Sequence, residues 1–427
     1  MEITVFIEAD SRFSHELRYV LTIFAQNKGV NFRFVSSPDQ ADLSFGTTTS
    51  YDYIVAENFY SLIGQSQFSF KNHFTSDCLI RTKSGQIDYL SSAFYMLNSL
   101  QEYESIDLDE VHRFKYSASY QYQFGNVQEN LVQQCFDNLC SHPKLSSLKK
   151  ASRPSAIFLS HDIDSIHGSL YQDGFYLLKK GKPHLIFKLL LNELLQRPDW
   201  YTFDRIMKIE DEYTFKSTFF WLVNQGRLSK REVNADYSIT NQRIRSAIQS
   251  AATKGWHNGI HKSISKESLT SEIAKSGLTP SANRNHYLKF NLPSHYNEIE
   301  KSGLKMDASL GFAEAYGFRN SYSLPFTPFD LKNKKPYSFV EVPLTIMDTT
   351  LYRYQKKEVN SVANELIEFL EKNKFNAVIS LLWHNNYFTE YKFHGYLPLY
   401  KKLLAYFYEN NWRSLQPDEI IALYSLN

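Results

Sequence analysis

Two carboxylates, Asp162 and Asp164, close an apolar run, Ala156-Ile157-Phe158-Leu159. Strand side chains alternate between faces, so acids two residues apart point the same way, past the strand's end. Other stretches carry matching groups. His261 directly follows the strand-like Trp256–Ile260, and His384 directly follows Val378-Ile379-Ser380-Leu381-Leu382-Trp383. Arg284-Asn285-His286-Tyr287 supplies a guanidinium, an imidazole and a phenol, and Met306-Asp307-Ala308-Ser309 supplies another acid. One carboxylate oxygen with two imidazole nitrogens is a zinc-type ligand set that leaves a position open for water. A second carboxylate and a further imidazole beside it would serve as base and acid in a hydrolysis. Taken singly, each residue has an ordinary explanation as a solvated acid or a capped histidine. Their recurrence in strand-end settings is what singles them out.

Such groups converge only if the elements carrying them share a rim. From Arg153 onward, strand and helix signals alternate. Helices are predicted at Leu185–Leu195, Phe203–Tyr213, Gln242–Thr253, Lys266–Ser276 and Lys357–Lys372, and strands at Ser217–Val223, Trp256–Ile260, Phe339–Val342 and Ala377–Trp383. Alternation over a length near the ~250 residues of an eight-fold barrel argues for a β/α barrel or a distorted relative, with ligands at the strands' C-terminal ends. The first 150 residues open β-α-β: a strand at Ile3–Ile7, a helix at Ser14–Lys28 stopped by Gly29, and a strand at Asn31–Val35. Helices follow at Ile87–Tyr103 and Val127–Leu139. No glycine-rich phosphate loop accompanies these strands, so nucleotide binding is not indicated. The polar stretch Ser141–Pro154 reads as a linker. The expected organisation is therefore α/β throughout: a smaller accessory domain over 1–150 and a catalytic barrel over 151–427.

With 427 residues, two domains are the natural expectation. A net charge of +2 gives no reason to expect nucleic acid as a partner. Three cysteines, Cys78, Cys135 and Cys140, make neither a disulfide framework nor a zinc knuckle and fit a reducing compartment. The N-terminus lacks the basic flank and apolar core of a signal peptide. The longest apolar patch, Leu185 to Leu191, is broken by Lys188 and is too short for a transmembrane segment. These features predict a cytoplasmic protein, with room for a membrane-associated substrate. The aromatic share, 15%, is high, and part of it would suit the flat faces of sugars.

The order of motifs resembles the polysaccharide deacetylase family (carbohydrate esterase family four), and more closely a bacterial branch with a smaller N-terminal domain. The resemblance runs through Ser160-His161-Asp162-Ile163-Asp164, Gly259-Ile260-His261, Arg284-Asn285-His286-Tyr287-Leu288-Lys289-Phe290 and Asp307-Ala308-Ser309-Leu310-Gly311-Phe312. It continues through Pro325-Phe326, Phe329-Asp330-Leu331, Pro343-Leu344, Met347-Asp348 and Leu382-Trp383-His384-Asn385, with Asp88 to Phe94 and Glu102-Tyr103 upstream. It implies an irregular β/α barrel and a divalent metal, zinc in the first instance. By the same resemblance Asp162 is the base, Asp164 a metal ligand, His261 a second ligand and His384 the general acid. Arg284 would hold and orient Asp162, and Asp307 would tune the catalytic histidine. In the wider family the two acids are adjacent, whereas here Ile163 separates them. The family's second motif ends in another histidine, and His261-Lys262-Ser263-Ile264-Ser265 does not. His286, in an Arg-x-His-Tyr segment where the family has Arg-x-Pro-Tyr, is assigned as the third ligand; His257, His161 and His167 are the alternatives. Tyr287, Trp383 and Phe312 are candidate sugar-stacking residues, with core packing the favoured reading for Phe312.

The resemblance implies a hydrolase that removes an N-acetyl or other acyl group from an amino-sugar-containing glycan or conjugate, in surface-polysaccharide or lipopolysaccharide assembly. Deformylation of a lipid-linked amino sugar would use the same groups. The missing second histidine motivates a rival from another class, an inactive carbohydrate-binding protein on a deacetylase scaffold. The oligomeric state is not legible in the sequence.

Overall fold

The computed structural model describes residues 2–8, 13–57, 59, 74, 77–150, 153–229 and 232–426. The first sheet is parallel, ordered β2-β1-β3-β4, from β1 (Glu2–Ile7), β2 (Asn31–Val35), β3 (Leu43–Gly46) and β4 (Tyr53–Ile54). The helix Ser14–Lys28 crosses between β1 and β2 and buries Leu17, Val20, Leu21 and Phe24, the i, i+3, i+4, i+7 stripe of an amphipathic helix. It stops at Gly29, whose φ of 67° lies in the left-handed region where a Cβ would be strained. A hairpin of β5 (Ile80–Arg81) and β6 (Ile87–Asp88) leads into the helix Tyr89–Leu97, capped by the Asp88 carboxylate accepting from the Ser91 N–H. That helix packs against the helix Leu131–Leu139.

The second sheet holds nine strands. They are β7 (Ala156–Ile163), β8 (Ser217–Leu222), β9 (His257–Lys262), β10 (Ala282–Asn285), β11 (Met306–Asp307), β14 (Val340–Glu341), β15 (Leu344–Met347), β16 (Val378–Leu382) and β17 (Arg413–Ser414). The intervening β12 (Phe329–Asp330) and β13 (Lys335–Pro336) form a separate hairpin. The order is β14-β11-β10-β9-β8-β7-β16-β15, with β17 beside β7, and every pairing is parallel. The sheet curls into a half-barrel; among the described residues no ladder joins β14 to β15. All eight residues of β7 are buried, as expected of a central parallel strand covered on both faces. Parallel strands place all their C-terminal ends on one rim, and the register sets Asp162 opposite Phe220, Leu222 opposite His261, and His261 opposite Arg284.

Several expectations shift. β9 runs to Lys262, so His261 lies inside the strand rather than after it. The helices Ser169–Lys179, Ser294–Ser302, Tyr396–Glu409 and Pro417–Tyr424 were not anticipated, because their apolar residues are interrupted by tyrosines and polar groups that blur the 3.6 period. Within Ser141–Pro154, Pro143–Lys150 forms 3-10 turns that bury Leu145 and Leu148; residues 151 and 152 of that stretch lie outside the described residues.

The two sheets share a continuous apolar core that includes Ile3, Phe24 and Phe94 as well as Tyr322, Phe329 and Phe407. Polar contacts cross the same seam. Arg319 forms a buried two-pronged pair with Glu102, at 2.9 and 2.6 Å, and Tyr19 Oη donates to the Thr327 carbonyl at 2.8 Å. A fork of this kind fixes orientation as well as distance.

Candidate metal and hydrolytic site

Arg284 on β10 is the fixed point of the rim. It is fully buried. Its Nη1 donates to Asp162 Oδ1 at 2.9 Å and to Ser160 Oγ at 2.8 Å, and its Nε donates to the Ala308 carbonyl at 2.9 Å. The guanidinium lies over the Phe220 ring at 4.6 Å. Phe220 can occupy that place because residue 259 is glycine: a Cβ there would come within 2.6 Å of the ring. One oxygen of Asp162 is thereby pinned, and Oδ2 faces His261 at 3.5 Å.

His261 Nδ1 sits 2.9 Å from the Arg284 carbonyl. A carbonyl only accepts, so the ring proton is on Nδ1 and the Nε2 lone pair points outward. It points at Asp164 Oδ1, 3.2 Å away, and both atoms are buried without a hydrogen-bond partner. Asp164 Oδ2 lies 3.5 Å from His286 Nε2. Two buried acceptors face to face need a cation or a proton between them. Ligand atoms of a tetrahedral zinc site with bonds of ~2.0–2.1 Å lie about 3.3 Å apart, close to the 3.2 and 3.5 Å found here. The carbonyl behind His261 is the kind of outer partner that orients metal-bound imidazoles. The residues present fit a divalent cation.

The electrostatics of Asp164 and His286 favour ligation. Burial disfavours the charged Asp164, but the imidazoles of His286, His261 and His384 outweigh it and hold its carboxyl well below the usual range. Burial pushes His286 down, against the pull of Asp164, and so favours the neutral form that can ligate. For His261 burial is opposed by Asp162 and Asp164, whose charges raise it.

His286 is delivered by a contorted backbone. Tyr287 (φ 61°) and Leu288 (φ 53°) are successive left-handed residues without glycine, a conformation costing about 1–3 kcal/mol each. It is braced from the other sheet's half of the chain: Arg113 Nη1 donates to the Tyr287 carbonyl at 2.9 Å and Arg113 Nη2 to Tyr354 Oη at 3.1 Å. Tyr287 stacks on His286 with ring centres 4.0 Å apart.

His384 lies across from this group, with Nε2 3.6 Å from Asp164 Oδ2. Asp348, just past β15, grips it twice: Oδ2 accepts the His384 backbone N–H at 2.5 Å, and Oδ1 is 2.7 Å from Nδ1. Burial lowers the imidazole's basicity, but Asp348 and then Asp164 outweigh it and push it up to about 10. These groups open into a cavity of about 590 Å³. Its wall adds the aromatic rings of Tyr287, Tyr352 and Phe393, and its rim carries Arg113, Arg353 and Lys392.

Asp162, Asp164, His261, Arg284, His286 and His384 thus come together. Asp307 is placed elsewhere: it does not touch His384, whose acid is Asp348. Asp307 Oδ2 instead pairs with His295 Nε2 at 2.7 Å, while Oδ1 accepts from Asn283 Nδ2 at 2.7 Å and Ser309 Oγ at 3.0 Å. Burial and then the Asp307 charge push Glu341 well above the usual carboxylate range. Trp383 does not reach the cavity. Strand alternation turns it the other way from His384, into the core against Tyr400 and Tyr396. Phe312 packs beneath Tyr116 and Arg319. Of the alternative ligands, His161 is bound to Glu210, His167 pairs with Glu193, and His257 starts β9, at the far end from the rim.

Sequence reasoning gave Asp348 no role, although it directly follows a buried strand just as Asp164 does. Arg113, from a loop 174 positions before Tyr287, left no signal.

Residues 5–144 match the model of a family of unknown function, DUF7033. No curated protein sequence matches the chain. Among solved structures, a Mycobacterium smegmatis protein described as a polysaccharide deacetylase superposes with a TM-score of 0.40 at 13% identity, covering 64% of this chain and 91% of that one. A mutant of the peptidoglycan deacetylase PdaC of Bacillus subtilis gives 0.32 at 9% identity, covering 64% and 92%. A mutant CE4 family pseudoenzyme with restored enzymatic activity gives 0.28 at 10% identity, covering 65% and 75%.

Proposed function

We propose that the protein is a metal-dependent hydrolase that removes an N-acetyl or other acyl group from an amino-sugar-containing glycan or conjugate. The observation that carries this reading is the cluster Asp164, His261 and His286, in which Asp164 Oδ1 and His261 Nε2 have no hydrogen-bond partner, lying between Arg284-bound Asp162 and Asp348-bound His384 in one cavity. When bound, a divalent cation such as zinc makes water a nucleophile near neutral pH and polarises the acyl oxygen. Asp162, one oxygen held by Arg284 and the other facing the cavity, accepts the water's proton. His384, kept protonated by Asp348, delivers a proton to the departing amine nitrogen. Tyr287 and the cavity's other rings present flat faces to the sugar. In this reading residues 151–427 carry the chemistry, and residues 1–150 are the accessory part that lends Arg113 to the wall.

The test is acetate release from acetylated nucleotide sugars and chitooligosaccharides by purified protein. We expect about one zinc-like ion per chain, turnover abolished by chelation and restored by zinc. Metal-free protein that binds sugar without releasing acid would establish the inactive binder instead. Formate in place of acetate would move the reading to a deformylase.

A further inference from the structure

The connection between β7 and β8 holds a helical hairpin, Ser169–Lys179 and Pro183–Leu194, that leaves much of its apolar surface uncovered. Fourteen large apolar side chains are exposed among the described residues, and eight of them fall within 171–195, so the exposure is local. On the first helix Tyr171, Phe175 and Leu178 follow i, i+4, i+7; on the second Phe187, Leu190, Leu191 and Leu194 follow i, i+3, i+4, i+7. Each set is one helical stripe. Phe187 is 70% exposed and Leu194 80%. The same segment carries Lys179, Lys180, Lys182, Lys188 and Arg197, all exposed and none in an ion pair among the described residues. Its two acids are spoken for: Asp173 is buried and accepts from Trp200 Nε1, and Glu193 is bound to His167.

We propose that this hairpin is a docking face for a bilayer rich in anionic headgroups. Apolar stripes flanked by cations that no acid neutralises, Lys179 and Lys180 lying over the rings of Phe175 and Tyr176, suit the boundary between acyl chains and anionic headgroups, where rings and leucines sink in and lysines meet phosphate. Tyr171 and Gln172 of the first helix also line the cavity, so docking would bring its mouth to the membrane surface. The face is argued from the hairpin alone and stands whether or not the hydrolase reading does.

The test is sedimentation of the full chain with vesicles of phosphatidylcholine alone or mixed with phosphatidylglycerol. We expect the protein to pellet with the anionic vesicles, and less so as salt rises. The combined variant Phe187→Glu, Leu191→Glu, Leu194→Glu should weaken binding about tenfold or more. Lys180→Glu with Lys188→Glu should weaken it while leaving all apolar residues in place. Both variants alter side chains already in water, and unchanged circular dichroism and soluble-substrate turnover would show them folded. Parent protein that stays in the supernatant with both vesicles overturns the proposal. So does a parent dimer that the triple glutamate variant splits, since the face would then belong to a second copy. Vesicle binding without acetate release would sink the hydrolase and leave the docking face; the reverse would do the opposite.

Discussion

Two groups of histidine and carboxylate lie on neighbouring strands of the same sheet, and they differ in whether their hydrogen bonds close. Around Asp307 itself they close: both its oxygens are engaged, by His295, Asn283 and Ser309, and only Glu341 Oε2 and Asn283 Oδ1 at the edge of the group lack a partner. Around Asp164 they do not, for Asp164 Oδ1 and His261 Nε2 face each other at 3.2 Å and neither has a hydrogen-bond partner. Similar residue types thus make a largely satisfied knot in one place and, in our proposal, a ligand set in the other. What separates them is the supply of donors.

The largest effects should break this contrast outright. Asp164→Ala or His261→Ala should abolish bound metal and lower turnover by about a thousandfold or more, whereas His295→Ala should leave metal content unchanged in the protein that folds. Elemental analysis beside acetate release reads both. If the His295 variant loses the ion and the His261 variant keeps it, the two groups have been assigned the wrong way round.

His384→Ala and Asp162→Asn should cost about a hundred- to ten-thousandfold in kcat with metal retained, because they remove proton transfer and not ligation. Metal loss in either would return that residue to the ligand set.

Asp307→Ala should act on stability: stripping one partner from a buried ionic network costs about 3–5 kcal/mol. Denaturant unfolding would show it, and an unchanged midpoint would remove the network's structural role.

The smallest and sharpest effect concerns pH. His384 is raised to about 10, so its stabilising contribution is complete below its ordinary 6.5 and fades as pH rises through about 10. Asp348→Asn removes the largest raising cause and should move the alkaline limb of kcat down by roughly one to three pH units. An alkaline limb that stays put would show that His384 is not the group titrating there.

Much of this was legible because parallel strands announce themselves as apolar runs and their next polar residue must lie on the rim. Asp162, Asp164 and His384 follow that rule, and so does Asp348, which needed only the same reading applied once more. Asp307 misled because a motif assigned it a partner that geometry gives to Asp348. Trp383 misled because a one-residue step along a strand reverses the side chain's direction. The hairpin's apolar residues were visible, but a hydrophobic stripe reads the same whether it faces a core or water. Arg113 was out of reach, since no local pattern ties a loop arginine to a carbonyl so far downstream.

That arginine has a consequence of its own. By clasping Tyr287 and Tyr354, a loop from the first third of the polypeptide helps shape the cavity wall, while making no bond to Asp162 or His384. Variation at that one position can therefore alter what the cavity admits without touching Asp162, Asp164, His261 or His384.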